Sequence, residues 1–246
     1  MKLRTTFATV LAAAAGVMGM AAAPAMAAAP ATTHSAVVKK TPTLSTAFSA
    51  TTLGYGQTLH GTVHLGPTAT NRTVTVYAKN WGNGATYVAA TGKVNSAGNF
   101  TFAYWESQTR TWWASFGGDA ADNAVTTAGV AVHVNSSASA SLAGYYKTTT
   151  WHGQALRTFH KNANIYINGQ VLPDNGTAQI DIQYYYNGQW TDGGRSSVKL
   201  AAGGRLAVNT GTDTSVGDVF RVIVINPGTV ANGTGYSNWL YLSSTN

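Results

Sequence analysis

Two histidines four residues apart, His60 and His64, form the first pair in the chain whose spacing suggests chemistry. On a helix that spacing brings both imidazoles to one metal ion. In Leu59-His60-Gly61-Thr62-Val63-His64-Leu65, however, the apolar residues recur at period 2. On a strand the two rings then lie about 13 Å apart along one face and cannot share an ion. His133, His152 and His160 show no paired spacing of the zinc type either. Asp119 and Asp122, in Gly117-Gly118-Asp119-Ala120-Ala121-Asp122-Asn123, offer either oxygen ligands for Ca²⁺ or a turn in which Asx side chains bond their own backbone. They lack the alternating acidic positions and closing Glu of an EF-hand, so the turn is the expectation. No metal and no cofactor is expected.

Catalytic constellations are equally sparse. Glycoside hydrolysis generally takes two placed carboxylates, and the chain offers Glu106 as its single Glu, beside seven Asp. No Gly-x-Ser-x-Gly elbow occurs. Gly193-Gly194 and Gly203-Gly204 adjoin strand patterns with no following helix to bind phosphate. The absence of Cys removes thiolate nucleophiles, disulfides and iron–sulfur ligation together. With 9% charged residues, ionisable groups are too few and too scattered for an acid–base site, and the chain reads as a non-enzyme.

Aromatic residues carry the remaining signal. Alternation sends about half of them into cores, where each ring contributes around 1.5–3 kcal/mol. In adjacent pairs such as Tyr104-Trp105, Trp112-Trp113 and Tyr145-Tyr146, successive side chains point to opposite faces, so one ring of each pair is left outside. Trp105, Trp113, Tyr185 and Trp190 are the candidate ligand-binding residues. Their rings either stack on sugars, with Gln183 and Asp181 supplying hydrogen bonds, or seal a contact with protein.

The elements that must hold these residues follow a leader. Lys2 and Arg4, an apolar stretch from about Phe7 to Ala23, and Ala25-Met26-Ala27 form a secretory signal peptide over 1–27. All four Met lie within it. Its loss takes two of the 15 basic residues and lowers the formal charge from +7 to +5. An Ala/Thr/Ser-rich linker fills 28–42. No later run is long enough to anchor the chain in a membrane, so the expected product is extracellular. The basic residues are scattered singly apart from Lys39-Lys40, which argues against nucleic acid.

After residue 30 helical periodicity is missing and period-2 alternation recurs, with Val, Ile, Thr and Tyr enriched. In Ala178–Tyr186, Ile180, Ile182, Tyr184 and Tyr186 share the core face, and Gln179, Asp181, Gln183 and Tyr185 the wet one. Asn187-Gly188 has the chemistry of a type I′ hairpin turn, and Asn83-Gly84 matches it one half earlier. Val74–Tyr77 corresponds to Ile180–Gln183, Trp112–Phe116 to Phe220–Val224, and Val130–Val134 to Trp239–Ser243, a repeat of roughly 105 residues. About seven short strands per repeat suit an immunoglobulin-like sandwich. The predicted organisation is two tandem antiparallel β-sandwiches, at 43–135 and 141–246, joined by a linker at 136–140.

The first half resembles the bacterial Ig-like domains found in tandem in secreted and surface proteins. The matching pieces are Thr43-Leu44-Ser45, Gly54-Tyr55-Gly56-Gln57, Val74-Thr75-Val76, Asn95–Phe100 and Trp113-Ala114-Ser115-Phe116-Gly117-Gly118-Asp119. The second half departs from the pattern and counts as a divergent repeat. The resemblance implies a secreted, non-catalytic module for extracellular interaction, adhesion or cell-surface structure, whose partner is an extracellular protein or a cell-wall glycan. A carbohydrate-binding protein using exposed aromatics, and an extracellular hydrolase with an unrecognised site, stay open beside it.

Overall fold

The computed structural model describes residues 38–67, 71–82 and 84–246. The signal peptide over 1–27, most of the linker at 28–42, and Asn83 lie outside the described residues. The described chain is all-β, with no helix among the described residues.

Its first half contains β1 (Thr43–Phe48), β2 (Thr52–Gly54), β3 (Thr58–Gly66), β4 (Thr73–Asn80), β5 (Thr86–Lys93), β6 (Asn99–Trp105), β7 (Arg110–Phe116), β8 (Val125–Thr126) and β9 (Val130–Asn135). The second contains β10 (Ser137–Ala143), β11 (Lys147–Trp151), β12 (Gln154–His160), β13 (Asn164–Leu172), β14 (Thr177–Tyr186), β15 (Gln189–Lys199), β16 (Arg205–Thr212), β17 (Val219–Asn226), β18 (Gly235–Tyr236) and β19 (Leu240–Thr245). In the first half, a sheet in the order β1-β3-β6 faces one in the order β2-β9-β7-β4-β5, with β8 beside β7. In the second, β10-β13-β16 faces β11-β12-β19-β17-β14-β15, with β18 beside β17. The two paths coincide strand for strand once β11 is set aside. Each half exceeds the expected seven strands, the first through the short pieces β2 and β8 and the second through β11, β12 and the short β18.

Alternation builds two separate cores. Leu59, Val63 and Leu65 on β3 meet Val74, Val76 and Ala78 on β4 and Trp112 and Ala114 on β7, all fully buried. Phe159, Ile167, Ala178, Ile180, Val224 and Leu242 fill the second sandwich. His60 and His64 point out of β3, where His64 Nδ1 meets Asn99 Oδ1 at 2.8 Å.

Ser137–Ala140, expected in a linker, belong to β10, which pairs with β13 from Ser137↔Leu172 to Ala143↔Tyr166. Its small side chains conceal the alternation: Ala138, Ala140 and Leu142 pack inward while the serines alternate with them. The connection between sandwiches is therefore short, and a loop from the second half braces it. The Thr109 N–H donates to the Ala231 carbonyl (2.8 Å), Asn232 Nδ2 donates to the Ser107 carbonyl (3.0 Å), and the Ser136 N–H donates to the Gly233 carbonyl (2.8 Å). Gly235 lies so close that a Cβ there would overlap the Ser136 carbonyl. Gly235→Ala is expected to lower stability by about 1–3 kcal/mol through this overlap. Gly117→Ala, with open space around it, should leave the denaturant midpoint nearly unchanged; equal midpoints for the two variants would refute the brace.

Candidate aromatic face

The site is assembled by strand pairing on the outer face of the β11–β15 sheet. Asn187 and Gly188, with φ of 49° and 81°, make a tight I′-like turn that sets Tyr185 directly opposite Trp190. The next pairings place Gln183 opposite Arg221, and Arg221 opposite Tyr241. Trp239 precedes β19. A second turn of the same kind, at His152 and Gly153 with φ of 47° and 77°, joins β11 to β12 and brings Trp151 onto this face.

The rings meet mostly edge to face, the arrangement that aromatic quadrupoles prefer. Trp151 lies 4.9 Å from Tyr185 and 5.6 Å from Trp190, and Tyr185 lies 5.2 Å from Trp190. Trp190 and Tyr241 are 5.8 Å apart. The Arg221 guanidinium sits over Trp190 at 4.3 Å and over Trp239 at 4.1 Å. Its Nε donates to Gln183 Oε1 at 2.8 Å. Among the described residues no carboxylate pairs with Arg221. The result is a half-buried aromatic surface around one cation, separate from the core beneath it.

Of the four candidate residues, Tyr185 and Trp190 are brought together here. Trp105 and Trp113 are elsewhere. Trp105, 55% exposed at the end of β6, stands edge-on to Tyr55. Trp113 lies flat against Tyr77, its partner on β4, with planes 12° apart. Sequence reading did not single out Trp151, Gln183, Arg221, Trp239 and Tyr241 as one group. The alternation of Leu240, Tyr241 and Leu242 is a local signal for Tyr241, but no local pattern announces where a hairpin tip will land.

The other candidate residues sit in a turn and in ion pairs. Asp119 Oδ1 accepts the N–H groups of Ala121 (2.8 Å) and Asp122 (2.9 Å), and these bonds hold its carboxyl below the usual carboxylate range. Both aspartates also pair with Arg72. No three metal-ligating side chains converge among the described residues. Glu106 is fully buried and paired with Arg110, whose Nε donates to Asn80 Oδ1 at 3.0 Å. Burial outweighs Arg110 and pushes the Glu106 carboxyl up to about 7.

No family model matches the chain, and no curated protein matches it.

Proposed function

We propose that this chain is a secreted, non-catalytic interaction protein built of two sandwiches of the bacterial Ig-like kind, and that the aromatic face of the second sandwich is its contact surface. The observation that carries the reading is the cluster of Trp151, Tyr185, Trp190, Trp239 and Tyr241 around Arg221, outside the second core. Half-buried aromatics with a guanidinium and an amide among them are the ingredients of a recognition surface. The matching strand paths of the two halves support the tandem reading, and the apolar leader supports export.

A second reading makes the ligand a polysaccharide. It is favoured by the Gln183 amide and Arg221 guanidinium set beside ring faces, where they can bond sugar hydroxyls.

Co-sedimentation of the mature chain with insoluble chitin, cellulose and peptidoglycan tests both. Binding to one of them that falls at least about ten-fold in Tyr185→Ala or Trp190→Ala, with the melting temperature little changed, is the result expected of the polysaccharide reading. Loss of retention only where the protein unfolds would remove the surface from consideration. Turnover of a polysaccharide or peptide, abolished by a single Asp or Glu substitution, would overturn the non-catalytic reading.

A further inference from the structure

A cleft of about 560 Å³ opens at the edge of the second sandwich, between β10, the β11–β12 hairpin and the start of β19. Tyr145, Trp239 and Tyr241 supply aromatic walls, and Gln154, Asn238 and Arg157 supply polar groups. No acidic side chain among the described residues lines it.

Arg157 is the informative residue. It stands two positions before Phe159 on β12 and so faces the same side. Phe159 is fully buried in the core, whereas Arg157 lies where the core opens into the cleft. Its guanidinium rests over the Tyr145 ring at 4.9 Å, and Nη1 donates to Thr148 Oγ1 at 2.6 Å. Those contacts fix its plane and leave further N–H donors without a protein acceptor among the described residues. No carboxylate pairs with it there. A positioned guanidinium presents a fork that matches a carboxylate in two parallel hydrogen bonds. Ring faces and neutral amides beside it suit the C–H faces and hydroxyls of a pyranose.

We propose that this cleft binds a uronic acid residue of an acidic polysaccharide, with Arg157 on the sugar carboxylate and Tyr145 and Trp239 against the rings. The assignment rests on the polysaccharide reading above and narrows it to a charged class. Arg221 stacks on Trp239 at 4.1 Å, and Trp239 and Tyr241 belong both to the cleft and to the aromatic face, so the two surfaces adjoin. A polymer with a carboxylate on successive sugars meets a second guanidinium as it leaves the cleft. The net positive charge of the chain attracts such a polymer at long range.

Calorimetric titration of the mature chain with trigalacturonate, with a glucuronate-containing tetrasaccharide, and with the methyl ester of each tests the proposal. At least one acidic oligosaccharide is expected to bind. The methyl ester of whichever acid binds, which keeps the shape and loses the charge, should bind at least about ten-fold more weakly. Arg157→Gln should weaken acid binding by a similar factor and leave ester binding unchanged, while Arg157→Lys keeps part of it. The ester comparison needs no variant and stands even if Arg157→Gln fails to fold. Equal affinity for acid and ester, an acid affinity indifferent to Arg157→Gln in a folded protein, or binding of neither acid overturns the proposal. If neither acid binds while Trp190-dependent retention on an insoluble polysaccharide persists, the cleft assignment alone fails. If that retention is also missing, the polysaccharide reading fails with it.

Discussion

Replacing Trp112 by Ala is expected to cost about 3–5 kcal/mol of folding free energy, enough to unfold much of the first sandwich at moderate temperature. Trp112 is fully buried on β7 and is the largest side chain so enclosed. Tyr104, Phe102 and Phe48 surround it at ring separations of 5.1, 5.8 and 6.3 Å. Three rings contributed by the opposing sheet cannot all move inward to fill an indole-sized space, because β1, β3 and β6 hold them in register. Phe159→Ala in the other core provides the comparison. Because the two cores share no residue, denaturant unfolding followed by far-UV circular dichroism should show the two variants weakening different parts of the transition. A loss below about 1 kcal/mol for Trp112→Ala would mean that the aromatic cage is not what closes this core.

The second large effect concerns Glu106. Removing its side chain leaves Arg110 buried without its carboxylate, and Glu106→Ala is expected to destabilise by about 3–5 kcal/mol. Glu106 Oε1 and the indole Nε1 of Trp112 are both buried without a hydrogen bond of standard geometry, although the indole N–H still favours the charged carboxylate. The first core and the ion pair are therefore neighbours in effect as well as in sequence. Burial raises the folded-state carboxyl from 4.5 to about 7. The folded protein then holds this proton more tightly than the unfolded chain does. Its contribution to stability is fully present below the unfolded value and is lost as pH rises through about 7. Wild type should lose roughly 2–3 kcal/mol from this group between pH 4.5 and 8. Glu106→Gln, which cannot ionise, should lack that component. Midpoints in urea at pH 5 and pH 8 decide the matter, and parallel pH dependences for wild type and Glu106→Gln would dismiss it.

The backbone was far more legible in the sequence than the surface. Period-2 alternation placed Leu59, Val63 and Leu65 in one core and Ile180 in the other, and Asn187-Gly188 marked its own turn. The reading of Ala178–Tyr186 was right about parity and incomplete about cover. Tyr184 and Tyr186 share the parity of Ile180, yet they are exposed, because β14 runs on past the end of the core. Tyr185, on the wet side, is the more covered residue, since the hairpin tip sets Trp151 against it. Parity is a local property of the chain, whereas cover depends on which distant segment arrives. Gln183, Arg221 and Tyr241 come together through pairings between strands separated by tens of residues. The Arg157 cleft needs three such segments at once.

Both sandwiches place a late strand in the middle of a sheet. β9 lies between the short parallel β2 and antiparallel β7, and β19 lies between parallel β12 and antiparallel β17. Until residues 240–245 are delivered, the hairpin of β11 and β12 has no sheet to join, and neither Trp151 nor Tyr241 is in place. The aromatic face thus depends on a long-range pairing, the slow and entropically costly kind. The arrangement exists only once residues 240–245 are paired, so a chain in which they are unpaired carries the aromatic residues without the face they form.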